Sequence, residues 1–536
     1  MSLPSFSTQG SLFSIASLSA SLFPKSDRFR LFAQVVFPRI VAARPQLEVA
    51  YSKDSGRAAI EPVLLLGVCL LQYIEGVPDR QAVELLRYHA GWNFALNRQL
   101  GDDLFHPTTL TRFRDRLQQH DLAAVGFKAI LDGLLEAGLV QRRTQQRLDS
   151  THVLGLVSRM SRVECVRESI RLALQEVAAR APAGPRPAVW ASWWECYVES
   201  QLDYRASHDV LVHKLLEAGA DAQALVAWVR DQGDLARGEA VGRLAEVFGQ
   251  QFAAEAGQPL RALGKGELDS GRIQNPHDPD ATWSAKGTGQ QQVSHVGYKV
   301  QVAESVEERR LAPGEPTAGF VVGVVTQPAH HSDEAGAREM ASEQAALGLE
   351  TPPVLYVDGA YVSAEKLARA RAEGVEIIGP AQPALQRRPG AFTAEDFDVR
   401  IDERRATCPA GVESTQCSRL DGEKAPGVQY RLEWNPGLCR ECPMKGRCLG
   451  TGQGHRTLVV GEHHMELQRR RREQREPGFK ERMRRRNAIE GTHSELVRAH
   501  GLRRARYRGL GRVRLGTYFV AAACNIKRWL RRVAWE

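Results

Sequence analysis

The stretch Val354-Leu355-Tyr356-Val357 closes on Asp358, and a helical run from Ser363 to Glu373 and a second β-type segment from Val375 to Ile378 follow it. Four apolar residues in succession suit a strand buried on both faces, and such strands belong to parallel sheets covered by helices. The alternation of strand, helix and strand therefore constrains this part of the chain to an α/β sheet. Three earlier segments extend it. Val296, Tyr298, Val300 and Val302 alternate within His295 to Ala303, Phe320 to Val325 is a denser apolar run, and Arg147 to Val153 carries Asp149 among β-compatible neighbours. The first two are expected to pair with the third as a meander, with a helix from Ala335 to Leu347 before the buried strand.

A chain of 536 residues, 43% hydrophobic, exceeds one ordinary core and divides into several domains. Residues 1–26 read as a flexible lead-in and 27–140 as a helical N-terminal domain. The sheet core takes 141–154 and 291–380. Helical material interrupts it over 155–290, with helices expected at Ile170 to Ala179 and Ala222 to Phe252. Residues 381–461 turn to short strands, Pro, Gly and Cys, a small β insertion. Residues 462–536 read as a basic helical part, opening with a long Arg-rich helix from Met465 that carries Glu490.

The longest apolar run, Val63 to Leu71, is short of the roughly 20 residues that span a bilayer. No basic start or small-residue cleavage site marks a secretory signal. A cytoplasmic protein is expected. Its net charge of +9 is unevenly placed: residues 469–536 hold 21 Lys and Arg against 6 Asp and Glu, or +15, leaving −6 for the rest. Such a localised field suits a polyanion, because each neutralised phosphate releases condensed counterions; a solvated basic face is the plainer reading.

In the N-terminal domain Pro78-Asp79-Arg80 can open one helix, and His106-Pro107-Thr108-Thr109 can cap a second that carries Arg112, Arg114 and Arg116. The pair suggests a helix-turn-helix with Arg112 and Arg114 facing DNA, although an ordinary surface helix has the same pattern.

A strand-borne Asp149, an Asp358 at the end of a buried strand and a Glu490 on a late helix form a candidate carboxylate cluster for hard divalent cations. Two such ions can activate an attacking oxygen and stabilise a departing one without a protein nucleophile. Taken singly, each Asp is equally a turn or cap residue, and Glu490 a salt-bridge partner.

The segments Leu148-Asp149-Ser150-Thr151-His152-Val153, Tyr356-Val357-Asp358-Gly359-Ala360-Tyr361 and Arg486-Asn487-Ala488-Ile489-Glu490-Gly491-Thr492 resemble the three acidic motifs of bacterial insertion-sequence DDE transposases. Gly501 to Leu510, Ala521 to Arg528 and the helical domain ending in Leu110-Thr111-Arg112-Phe113-Arg114 look like blocks of the same family, most like the insertion-sequence group numbered 1182. The resemblance implies an RNase H-like mixed sheet with two Mg2+ or Mn2+ ions held by Asp149, Asp358 and Glu490. It also implies action on double-stranded DNA, at terminal inverted repeats and then a target, by a homodimer in the bacterial nucleoid, with no membrane partner. Arg486, four residues before Glu490, matches the Arg of the family's Tyr-Arg-Glu-Lys signature, where a DNA phosphate is the implied partner. The signature's Tyr and Lys positions hold Met483 and Val497 here, with Arg482 and Arg498 beside them. Arg498, Arg503, Arg504, Arg506 and Arg508 are the further candidates for phosphate contacts. A nuclease on the same fold, without strand transfer, and an inactive DNA-binding relative are the alternatives.

Nine cysteines are too few for a disulfide scaffold, and five fall between Cys408 and Cys448. Cys439-x2-Cys442-x5-Cys448 places three thiols within reach of one tetrahedral ion, with Cys408 or Cys417 as the fourth ligand. A structural zinc ion is one reading and reduced packing cysteines the other.

Overall fold

The computed structural model describes residues 2–3, 20–52, 56–99, 102, 104–201, 206–255, 257–287, 292–307, 319–420 and 427–535. Most of the lead-in expected over 1–26 lies outside these, but Phe23 is buried, its ring 4.5 Å from that of Phe94, so the packed fold begins before residue 27.

Four helices dominate the N-terminal part: α1 (Pro62–Glu75), α2 (Asp79–Tyr88), α3 (Thr108–Gln119) and α4 (Val125–Glu136). α1 is apolar on nearly every face and so must run through the core. Glu61 accepts from its first free N–H, Pro62 starts it where a missing N–H costs nothing, and left-handed Gly76 (φ 72°) ends it. The helix-turn-helix expectation is corrected here. The helix Ala90–Ala95 and the segment up to Pro107 separate α2 from α3, where that motif has a turn of about 3–4 residues.

The central sheet is mixed. β1 (Gln146–Leu154) runs antiparallel to β3 (Val293–Ser305), whose other edge takes β2 (Thr282–Lys286) and β4 (Val321–Pro328). On the far side of β1 lie β5 (Val354–Tyr356) and β6 (Glu376–Ile378), both parallel, giving the order β2-β3-β1-β5-β6 with β4 also on β3. Because β2 belongs to this sheet, the interruption expected over 155–290 ends before residue 282.

That interruption contains α5 (Arg162–Arg180), α6 (His208–Arg230) and α7 (Glu239–Gln251), packed on their own apolar core of Ile170, Leu174, Leu225, Val229, Leu244 and Val247. The single helix expected from Ala222 to Phe252 is broken by the short turn Gly233–Arg237, which starts on left-handed Gly233. α8 (Asp333–Ala346) and α9 (Ala364–Ala372) return the chain to the sheet.

Beyond β6 a small module pairs Asp398–Arg400 with Arg405–Thr407 and builds a three-stranded sheet from Gln416–Leu420, Gln429–Glu433 and Thr457–Gly461 around buried Phe397, Leu432 and Trp434. α10 (His464–Glu473) leaves the module. The long helix expected from Met465 ends there: Pro477, with no N–H to donate, starts a separate segment, and a tight turn over Arg484–Asn487 precedes α11 (Ala488–Arg498). The last helix, α12 (Leu510–Trp535), packs on α1, α4 and β4, so N-terminal helices and sheet share one continuous core. No single helix among the described residues is long and apolar enough to cross a membrane.

Two buried polar contacts fix α12 and α11 to the sheet. Asn525, fully buried, accepts from Val321 N and donates to Val321 O, both at 2.8 Å, satisfying backbone groups on edge strand β4. Glu304 on β3, 1% exposed, accepts from Arg147 at 2.6 Å, from Arg528 at 2.7 Å and from Thr492 on α11 at 2.8 Å. Its charge is thereby paired twice, as a buried carboxylate requires.

Candidate active site

Parallel pairing sets Arg147 opposite Tyr356. Asp149 lies two residues beyond Arg147 on β1, and Asp358 two residues beyond Tyr356, past the end of β5. Residues two apart in a strand share a face, so Asp149 is on the face of Arg147. Asp358 begins a short turn, its Oδ1 accepting from Ala360 N at 2.9 Å. Asp149 Oδ1 accepts from its neighbour Ser150 N at 2.8 Å, and Oδ2 points the other way. Burial pushes the Asp149 carboxyl above its usual range and the Asp358 charge adds to that, while the Ser150 N–H, His493 and Arg486 oppose it.

α11 supplies the third acid. Glu490 is exposed, its side chain at 71%, and Arg486 one turn earlier reaches both carboxylates: Nη2 to Asp149 at 2.8 Å and Nη1 to Glu490 at 3.7 Å. A half-buried guanidinium thus stands between two acids from elements far apart in sequence. The expectation that Arg486 contacts a phosphate is therefore amended for the protein without DNA, where it is held by Asp149. Burial holds His493, on the same helix, below the usual histidine range, and its Nε2 is buried with no hydrogen-bond partner. Asp333 is not the cap of α8, since Ser332 Oγ accepts from Ala335 N; it instead accepts from Gln301 at 3.2 Å and pairs with Lys299 at 3.3 Å.

The basic candidates separate into two kinds. Arg503, Arg504, Arg506 and Arg508 are exposed on a segment that extends the sheet: Leu154 N donates to Arg503 O, and Ala505 N to Leu154 O, both at 2.9 Å. The segment lies beside Leu154, the last residue of β1, the strand that carries Asp149. Arg112 and Arg498 are exposed as well. Arg114 is not: it is 6% exposed, donates to Asp79 and Gln72, and lies 5.6 Å from the Tyr507 ring. Its place facing DNA is corrected to one in the interior, where it ties α3 to α2. Arg482, beside the substituted Tyr position, pairs with Glu376 at 2.7 Å, and Met483 packs on Tyr356 and Ile378.

Among the described residues, three ligand-type side chains come within 4.8 Å of one another at Glu495, His500 and Cys524. Both Glu495 oxygens already accept from Arg528 and Arg531, which argues against a cation there. Cys408, Cys439, Cys442 and Cys448 line one cavity in the small module; Cys417 does not.

Residues 407–530 match the family model described as transposase DDE domain, and residues 19–116 the one described as transposase domain (DUF772). Both matched models are of transposases. Together they support an insertion-sequence DDE transposase, and the first spans Glu490 but neither Asp149 nor Asp358. No curated protein and no solved structure matches the chain.

Sequence reading passed over Glu304, Arg147 and Asn525. Their local signal is weak: Asn525 and Arg528 lie in a largely apolar helical stretch, and a buried Glu on an apolar strand shows only through its alternation with Val300 and Val302.

Proposed function

We propose that this chain is an insertion-sequence transposase that cleaves and joins DNA strands at a centre formed by Asp149, Asp358 and Glu490. The observation that carries this reading is the Arg486 guanidinium, which links Asp149 on β1 to Glu490 on α11, with Asp358 just past the end of β5, the parallel neighbour of β1. The sheet, with β1, β2 and β4 antiparallel to β3 and with β5 and β6 parallel to β1, supports an RNase H-like core, which the matched DDE domain implies.

The all-oxygen donor set suits Mg2+ or Mn2+, and a guanidinium lodged between Asp149 and Glu490 marks the place as one that favours positive charge. Two ions held there by Asp149, Asp358 and Glu490 would activate the attacking oxygen and stabilise the leaving one. The residues do the rest. Asp149 presents its carboxylate from β1 and Asp358 from the turn just past β5, and Glu490, exposed on its helix, closes the set. Arg486 neutralises the acids in the free protein and turns to a phosphate when DNA is seated. Arg503, Arg504, Arg506 and Arg508 hold the backbone of the duplex beside the acids, with Arg112 and Arg498 as further contacts.

On this reading the substrates are terminal inverted repeats and target DNA, handled by a homodimer in the bacterial cytoplasm, and the chain resembles the insertion-sequence group numbered 1182. The test is a labelled duplex bearing the element's ends, incubated with target DNA in Mg2+ or Mn2+. Metal-dependent 3′-hydroxyl ends that become joined to target support the transposase; cleavage without joining identifies a nuclease, and binding with neither an inactive relative.

A further inference from the structure

The small module gathers its cysteines in a way the sequence left open. Cys408 comes from the end of the 398–407 hairpin, Cys439 and Cys442 from the helix Pro436–Glu441 and its end, and Cys448 from the next short helix. All four face one cavity, which Trp434, Lys445 and Arg456 also line. Cys417 sits on a neighbouring strand opposite Leu432 and is outside the cavity.

We propose that Cys408, Cys439, Cys442 and Cys448 together bind one zinc ion as thiolates, with Cys417 taking no part. The local backbone prepares for it: Cys408 and Cys442 each head a tight turn, Gly411 N donating to Cys408 O at 2.9 Å and Lys445 N to Cys442 O at 3.1 Å. Electrostatics favour it as well. Four thiolates on Zn2+ carry a net charge of −2, and the cavity is lined by two cations, Lys445 and Arg456, against one anion, Glu441. Arg456 donates through Nη1 to Cys448 O at 3.0 Å, while its Nε is buried without a partner, a donor that a cysteine thiolate would satisfy.

Binding is proton exchange without redox: four thiols release four protons as four Zn–S bonds form. Among the described residues no three of these thiols lie within 4.8 Å of one another, whereas Zn–S bonds of about 2.3 Å bring sulfurs to about 3.8 Å. Binding would therefore bring the four sulfurs closer together. The 436–448 segment is already tied to the exit from the sheet, because Arg388 donates to Gly446 O at 2.6 Å, Arg447 to Gly390 O at 3.0 Å and Phe392 N to Arg447 O at 3.0 Å. The ion holds structure and takes no part in strand cleavage.

The experiment is elemental analysis of the full-length chain purified without added metal, for wild type, Cys408→Ser, Cys442→Ser and Cys417→Ser. One zinc per chain is expected in wild type and Cys417→Ser, and its loss in the other two. Because the loss variants can fail to fold, a second measurement uses wild type alone: a mercurial titrated into the folded protein should release the zinc as four thiols react, and cobalt in its place should show tetrahedral thiolate absorption. Wild type that takes up neither zinc nor cobalt, or Cys417→Ser that loses the ion while Cys408→Ser keeps it, overturns the proposal.

Discussion

The Arg486 guanidinium donates to the Asp149 carboxylate at 2.8 Å, joining the helix of the third candidate acid to the strand of the first. In the free protein this arginine competes with any cation that the acids attract. Arg486→Gln should therefore tighten Mn2+ binding to the DNA-free protein by about tenfold, the scale of one charge-assisted hydrogen bond, while weakening DNA cleavage. Calorimetric titration with Mn2+ decides it: unchanged or weaker affinity in the variant would mean that Arg486 does not occupy the cation's place.

Glu304 is the buried counter-ion of Arg147 and Arg528. Glu304→Ala leaves buried Arg147 without a carboxylate and Arg528 with Glu495 alone, and should cost about 3–5 kcal/mol in a denaturant titration. A loss below about 1 kcal/mol would show that the arginines find other partners at little cost.

Burial, with Arg471 and Lys527 adding to it respectively, holds His464 and His500 down to about 4. Both are neutral in the fold, whereas in the unfolded chain they take up protons below about 6.5. The unfolded state then binds more protons, so stability should fall as pH drops from about 6.5 towards 4. Denaturation midpoints across this range should show the decline, and His500→Gln should flatten it; a midpoint that climbs on acidification contradicts the burial.

Alanine at Arg503, Arg504, Arg506 or Arg508 should weaken DNA binding without changing sequence preference and lower the salt slope by about one phosphate contact each. Arg114→Ala should behave differently, leaving the salt slope alone and destabilising the fold by about 2 kcal/mol through the loss of Asp79's partner. Binding measured over a salt series separates the two. A reduced slope in Arg114→Ala would return that residue to the DNA face.

The strands around Asp149 and Asp358 were legible because Val and Tyr alternate or cluster in them, and patterning of that kind is local. Thr282–Lys286 was not, since Thr-Trp-Ser-Ala-Lys has little apolar alternation and is held in place by pairing with Val293–Gly297. The basic helix carrying Arg114 read as the DNA-facing helix of a helix-turn-helix because nothing local reveals that Asp79 comes to lie beside it. The same holds at the acids: sequence order suggested three ligands, but the hold of Arg486 on Asp149 and the buried place of Glu304 are products of tertiary packing. Cys408 and Cys417 could not be told apart by spacing; the cavity separates them.

The most direct test of the account is single-turnover cleavage of a duplex with the element's ends in Mg2+, comparing wild type with Asp149→Asn, Asp358→Asn and Glu490→Gln, each shown to be folded and to bind DNA. The account predicts at least a roughly hundredfold loss of 3′-hydroxyl product in all three, about 3 kcal/mol of lost transition-state stabilisation. Cleavage at the wild-type rate in any one of them would remove that residue from the site and contradict the three-acid centre.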